Sequence, residues 1–309
     1  MNAFEMIKKE IKKNIIGLDD IIRDLFVCLV SEGHILLEGA PGLAKTTLAK
    51  SFAESLNLKF SRIQGCPDLL PSDLTGGEIY RLQSGTFEFI EGPIFANIVL
   101  VDEINRMSPK TQSGLLEAME ERTVTIGRKT YSLPRPFIVI ATQNPVEFEG
   151  TYPLSTAQID RFMMKINMNY LSEEEEFEVL KMKLHNGGDE IKPVVDKEML
   201  NNIIKEITNI HVSLPILKYI KDIIVKTRKD ERLILGASTR AGIHLLKVAK
   251  VYAYLDNRTY VIPDDVKNNV VKVLSHRLIV DYEEESSAEE ILKDILKDVE
   301  VPKGDFRFH

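Results

Sequence analysis

The chain's 309 residues, 44% hydrophobic and 28% charged, have the composition of a globular protein with room for two domains. A formal charge of −7 argues against a broadly basic surface that tracks duplex DNA, and no apolar stretch approaches the roughly 18–20 residues that cross a bilayer. Two cysteines in unrelated contexts, six histidines without metal-ligand spacing and a Lys/Glu-rich start fit a cytoplasmic protein without a disulfide framework or histidine metal centre.

The first element signal is an apolar run at 35–37 that leads into Gly39-Ala40-Pro41-Gly42-Leu43-Ala44-Lys45-Thr46, and a helical segment follows over 47–56. Strand, glycine turn and helix in that order make a cradle for phosphate. Small residues let backbone N–H groups wrap an anion, and the helix start adds the positive end of its dipole. Lys45 is placed to reach the outer phosphates and the Thr46 hydroxyl to sit on Mg2+. The strict pattern carries Gly just before the lysine; this chain has Ala44.

After a strand candidate at 58–63, residues 77–82 and 86–90 alternate polar and apolar side chains around 83–85, which reads as a β-hairpin. The run 98–101 is apolar and mostly β-branched, as in a strand buried on both faces of a parallel sheet. It ends in Asp102-Glu103. A carboxylate there, beside a phosphate loop, can hold Mg2+ through its water shell. The second carboxylate can orient and polarise the water that attacks a γ-phosphate. Together with the loop, the pair implies an ATPase. A second hairpin spans 123–126 and 130–133. Both hairpins want one wet face and belong outside the central sheet, as surface decoration or as mobile elements that touch a substrate or neighbouring subunit.

Further strands are expected at 137–142 and 163–168. Asn144 follows the first of them, at the same sheet edge as Asp102. Arg161 sits near the end of a short helix, where a guanidinium is offered outward or pairs with Asp160. Beyond residue 171 the strand signals give way to 3.6-residue periodicity. Ser172 followed by Glu173-Glu174-Glu175 reads as a capped helix start. Helices are expected at 196–207, 214–227, 240–255, 263–278 and 288–299. The fold class is therefore α/β: a nucleotide-binding parallel sheet flanked by helices over 1–170, with a C-terminal all-α lid over 171–309.

The ordered set GAPGLAKT, DLLPSDLTG, ANIVLVDEINR, KTQSGLLEAMEE, ATQNP, GTYPLSTAQIDRF and GASTRA resembles the MoxR-type AAA+ ATPases almost end to end, from about residue 16 to 301. That family belongs to the AAA+ group with an insert in helix 2 (here about 77–91) and a hairpin before sensor 1 (about 123–133). Ala44 is usual in it. The resemblance implies that Gly39 to Thr46, continued by Thr47, is Walker A, and that Asp102-Glu103 is Walker B with Glu103 as catalytic base. It implies that Asn144 is sensor 1, Arg161 the arginine finger, Arg240 sensor 2, and Ile16-Gly17 part of the adenine-side box. Arg106 has two readings, contact across an interface or bracing of its loop. The family usually has Pro-Glu where this chain has Ser155-Thr156, a departure that removes no catalytic group.

By the same resemblance the expected cofactors are ATP and Mg2+, and the expected assembly is a ring, by analogy a hexamer. The role would be a chaperone-like motor that matures client proteins, often metal-dependent enzymes, with a partner bearing a von Willebrand factor A domain. The alternatives are a nucleic-acid motor or loader, a metal-chelatase motor subunit and a nucleotide-gated scaffold. The acidic balance counts against the first of these.

Overall fold

The computed structural model describes residues 3–83, 85–145, 150–184 and 189–307. In chain order its strands are β1 (Ile35–Glu38), β2 (Phe60–Gln64), β3 (Gly76–Arg81), β4 (Thr86–Glu91), β5 (Ile98–Asp102) and β6 (Thr123–Ile126). They continue with β7 (Lys129–Ser132), β8 (Ile138–Gln143), β9 (Met164–Asn167), β10 (Leu233–Leu235) and β11 (Ile279–Val280). β2, β5, β8, β1 and β9 bond in that order into one sheet, every pairing parallel. The register sets Gln64 beside Asp102 and Glu38 beside Gln143. The carboxyl ends of four strands thus share one edge, where ligands bind in open α/β sheets.

Period-2 alternation decides how the sheet is buried. Ile98 and Leu100 of β5, with Ile138 and Ile140 of β8, face a cluster that contains Leu48 and Phe52 of the helix Lys45–Ser55. Val99 and Val101, with Val139 and Ala141, face a second cluster that contains Leu115, Leu116 and Met119 of the helix Pro109–Glu121. Both faces are covered, so the run at 98–101 is apolar throughout rather than alternating.

Both hairpins form outside the central sheet, as β3–β4 and β6–β7. The turn expected at 83–85 falls partly on Ser84, outside the described residues. The first hairpin leaves Leu82 89% and Phe87 68% exposed, whereas Phe89 stacks on Tyr131 of the second with ring centres 4.1 Å apart.

The C-terminal helices Lys197–Thr208, Leu214–Thr227, Thr239–Leu255 and Ala288–Asp298 lie within a residue or so of expectation. Ser172 and Glu175 cap each other reciprocally at the start of the helix Glu173–Leu184. Two features differ. The helix expected over 263–278 is broken into Pro263–Lys267, Val270–Leu274 and a 3-10 turn at Ser275–Arg277. There the Asn269 amide donates to the Asp265 carbonyl, competing with the helical ladder. The helical region also carries a small antiparallel ribbon, β10–β11, too short to show an alternation.

Two N-terminal helices, Ala3–Ile11 and Asp19–Val30, share one apolar cluster with the C-terminal helices. The tie is also ionic: Lys272 Nζ lies 2.9 Å from Asp24, which also accepts a hydrogen bond from Tyr252 Oη at 3.4 Å. Burial pushes the Asp24 carboxyl up against the pull of Lys272, so losing the lysine leaves a buried acid without its cation.

His34 accepts the Val139 N–H through Nδ1 at 2.9 Å, so its Nε2 carries the proton donated to the Met119 carbonyl at 3.0 Å. Burial pushes its pKa from 6.5 down to about 3. The native ring stays neutral where the unfolded chain's ring protonates, so the unfolded state binds more protons between pH 6.5 and about 3. Stability therefore falls as pH drops through that window. His34 alone contributes a loss of about 2 kcal/mol by pH 5. Urea unfolding at pH 7 and pH 5 checks this, and equal midpoints would refute it.

Candidate active site

The loop after β1 is shaped by two tight positions. At Gly39 a Cβ would come within 2.8 Å of the Met168 carbonyl, where the chain leaves β9. Ala44 has φ +56°, in the left-handed region. That conformation explains why the strict pattern carries Gly there, and Ala holds it at a cost of about 1–2 kcal/mol. The helix then starts at Lys45, two residues before the expected start. Lys45 Nζ donates to the Gly39 carbonyl at 2.6 Å, which keeps the ammonium over the loop. Burial pulls the Lys45 pKa down, while Asp102 and Glu103 oppose the shift.

Asp102 ends β5 and is 8% exposed. The Thr46 hydroxyl donates to its Oδ2 at 3.4 Å, and the Thr142 hydroxyl donates to its Oδ1 at 3.3 Å. Glu103 follows in the left-handed region, φ +57°, and its N–H donates to the same Thr142 oxygen at 2.9 Å. The turn sends the Glu103 carboxylate into the cleft. There its Oε2 accepts from Gln64 Nε2 and Arg106 Nη1, each at 3.1 Å. For Arg106 the geometry is that of a brace on Glu103. Arg62 completes the set: its Nε donates to Asp102 Oδ2 at 2.7 Å and its Nη2 to Gln64 Oε1 at 3.0 Å.

All of these groups but Arg106 line a cleft of about 340 Å³ together with Gly39, Pro41, Gly42, Leu43, Ala44, Thr47 and Asn144. Ala40 is the loop residue that lines neither this cleft nor its neighbour. The neighbour, about 400 Å³, shares Pro41 to Ala44 and Thr47 with the cleft. It is walled by Ile15, Ile16, Leu18, Leu171 and Val179, an apolar slot of the kind that takes a flat ring. Gly17 stands behind it, where a Cβ would meet Glu175 of the helix Glu173–Leu184 at 2.7 Å. That helix forms one side of the slot and has no buried residue of its own.

Arg161 and Arg240 line neither cavity. Arg161 Nη2 lies 3.1 Å from Glu120, at the end of the helix Pro109–Glu121, and Arg240 bonds the other oxygen of the same carboxylate. The alternative of an Arg161–Asp160 pair is not the arrangement found. Asp160 is held instead by Arg277 Nε at 2.8 Å, the Ser238 hydroxyl at 2.9 Å and Arg240 Nη1 at 3.3 Å. Arg277 is buried and also donates to the Phe162 carbonyl at 2.6 Å. Burial, opposed by Asp160, pushes its pKa down to about 10. So the structure brings Lys45, Thr46, Asp102, Glu103 and Asn144 together, and puts Arg161 with Arg240 at a second place.

Arg62, Gln64, Thr142, Glu120 and Arg277 are not singled out by any local pattern in the sequence. Period 2 puts Arg62 and Gln64 on one face of β2, but only the β2–β5 pairing shows that this face meets Asp102.

A family model described as the ATPase family associated with various cellular activities (AAA) matches residues 34–164, and an AAA lid domain model matches residues 225–295. The chain is 40% identical to the chaperone MoxR1 of Mycobacterium tuberculosis over 306 residues, covering 95% of this chain and 81% of that protein. It is 45% identical to the uncharacterized protein YeaC of Bacillus subtilis over 298 residues, covering 95% and 93%. A solved structure from Cytophaga hutchinsonii superposes with a TM-score of 0.92 at 43% identity, covering 98% of this chain and 96% of that one.

The chain belongs to the MoxR-type AAA+ ATPases. Its parallel five-stranded sheet flanked by helices, with a C-terminal lid, is the AAA+ architecture, and membership of a chaperone-like ATPase family supports ATPase activity. No helix among the described residues is long and apolar enough to cross a membrane. For a MoxR-type site the donor chemistry fits a nucleotide with a hard cation. Thr46 and Asp102 offer only oxygens, 3.4 Å apart, the set Mg2+ prefers. Lys45, Gly39 and Pro41 to Ala44 line the same cleft, at a helix start suited to an anion.

Proposed function

We propose that this MoxR-type chain hydrolyses ATP by in-line attack of water on the γ-phosphate, and that it acts as a ring, by family analogy a hexamer. The observation that carries the reading is the convergence of Lys45, Thr46, Asp102 and Glu103 on one cleft beside an apolar slot. Adenine lies in the slot against Ile16, with Gly17 behind. The triphosphate would run along the backbone of Gly39 to Thr47, including Ala40, where every residue but Pro41 has an N–H to donate, and Lys45 would meet the outer phosphates. Thr46 and, largely through water, Asp102 would hold Mg2+, which would supply charge neutralisation at the phosphates. Glu103 takes the proton of the attacking water, and the Asn144 amide orients that water.

Arg161 shares a carboxylate with Arg240 apart from its own chain's cleft, which supports its use on the nucleotide of the next protomer, while Arg240, at the start of a lid helix, reports nucleotide state to the lid. The nucleotide unit ends near residue 170 and a helical unit follows. The ring works in the cytoplasm on protein clients, often metal-dependent enzymes to be matured, with a partner that carries a von Willebrand factor A domain.

Phosphate release per protomer, measured across a wide range of protein concentration with Mg2+ present, tests both halves. The specific rate is expected to rise steeply as protomers assemble. A flat, nonzero rate would remove the shared site and keep the ATPase. No release at any concentration would remove the ATPase.

A further inference from the structure

The cleft contains a cation that the ATPase reading does not use. Arg62 Nε lies 2.7 Å from Asp102 Oδ2, the oxygen to which Thr46 also donates. The other oxygen, Oδ1, is held by the Thr142 hydroxyl, so the carboxylate cannot simply rotate to offer a different atom. The oxygen that would face Mg2+ is the one Arg62 occupies. Arg62 reaches it from β2, whose residue opposite Arg62 is Leu100, and half of its side chain is exposed. A half-exposed guanidinium can leave for solvent at little cost. The carboxylate is nearly buried and sits beside Glu103, so it is costly to leave without a cation.

We infer that Arg62 is a resident stand-in for the metal, a positioning residue that neutralises Asp102 until Mg2+ arrives and competes with Mg2+ for Oδ2. This rests on the proposed nucleotide site. Two consequences have opposite signs. With Arg62 in place, ATP without metal meets a screened carboxylate and binds. Without it, metal-free ATP meets a carboxylate screened only by Thr46, Thr142 and the Lys45 ammonium and binds more weakly, while Mg2+ meets no rival at Oδ2 and binds more tightly. A residue that only touched phosphate would weaken binding equally with and without metal.

The test is equilibrium binding of a non-hydrolysable ATP analogue to the full chain, once in EDTA and once with saturating Mg2+. Free Mn2+, followed by electron paramagnetic resonance, reports metal affinity of the analogue-loaded protein. Arg62→Ala is expected to weaken binding in EDTA roughly ten- to a hundredfold, to change binding with Mg2+ much less, and to tighten Mn2+. Arg62→Lys keeps the charge and is expected to restore most of the affinity in EDTA. Equal losses in both conditions, or no change in either, overturn the inference and leave the nucleotide site standing. Failure of the folded wild-type chain to bind the analogue under either condition would overturn the site reading and this inference with it.

Discussion

Replacing Glu103 with Gln is expected to leave ATP binding near the wild-type level and to lower turnover by roughly two to four orders of magnitude, the usual worth of a positioned general base. The substitution keeps the shape of the side chain, and an amide oxygen can still accept from Gln64 Nε2 and Arg106 Nη1, which now meet at Glu103 Oε2. The backbone turn at Glu103 depends on its N–H bond to Thr142, which the change does not touch. Asp102 and Thr46 also remain, so the metal's oxygens are intact. What disappears is the ability to take a proton from water. Titration with labelled ATP beside a phosphate-release assay reads the two effects separately. Turnover above about a tenth of wild type would take the base role away from Glu103. Lys45→Ala forms the contrast, since losing the ammonium held over the loop should abolish binding itself.

The second large effect concerns a mixture. Arg161→Ala alone is expected to lose about 10³–10⁵ in rate, the range for an arginine supplied across an interface, and Glu103→Gln alone roughly two to four orders of magnitude. Mixed together, the two should regain activity. An Arg161→Ala protomer still has its own Glu103, and a Glu103→Gln neighbour can lend it an arginine. In a head-to-tail ring assembled at random from equal parts, roughly a quarter of interfaces would combine an intact base with an intact finger, whatever the ring size. The placement of Arg161 beside Arg240 on Glu120, outside its own cleft, is what makes this expectation specific. Mixtures that stay inactive at every ratio, while native mass measurements show mixed rings, would place the arginine's work within its own chain.

The parts of the molecule legible in the sequence were those written in local pattern. The Walker loop, the strand ending in Asp102 and the helix Leu214–Thr227 follow from apolar runs, glycines and caps, and the structure forms each within about two residues. The parts that were illegible depend on contacts between distant segments. Arg62 reads as one polar residue in a strand until β2 is paired with β5. Arg277 falls near the end of a segment expected to be helical and carries no local signal, yet it is buried and holds Asp160 from more than a hundred residues away. Ionic partners are the least legible feature: Asp160 adjoins Arg161, but tertiary packing gives Asp160 to Arg277 and Arg161 to Glu120. The break at 268–269 is intermediate. Its two asparagines are visible, but their effect depends on an amide turning back onto the Asp265 carbonyl.

The alternating burial of β5 divides labour between adjacent side chains. Leu100 belongs to the mass that includes the N-terminal and lid helices, and Val101 to the mass that includes the helix carrying Glu120 and the base of both hairpins. The sheet is a partition wall, and a wall one strand thick transmits little sideways except at its rim. That rim is where Asp102, Glu103, Thr142 and Asn144 stand. A cavity carved at Leu100 would loosen the nucleotide-and-lid side, and one carved a single residue later would loosen the arginine side. The two halves would be left in register through the residues proposed to do the chemistry and through the ties of Asp160 to Ser238 and Arg277 and of His34 to Met119.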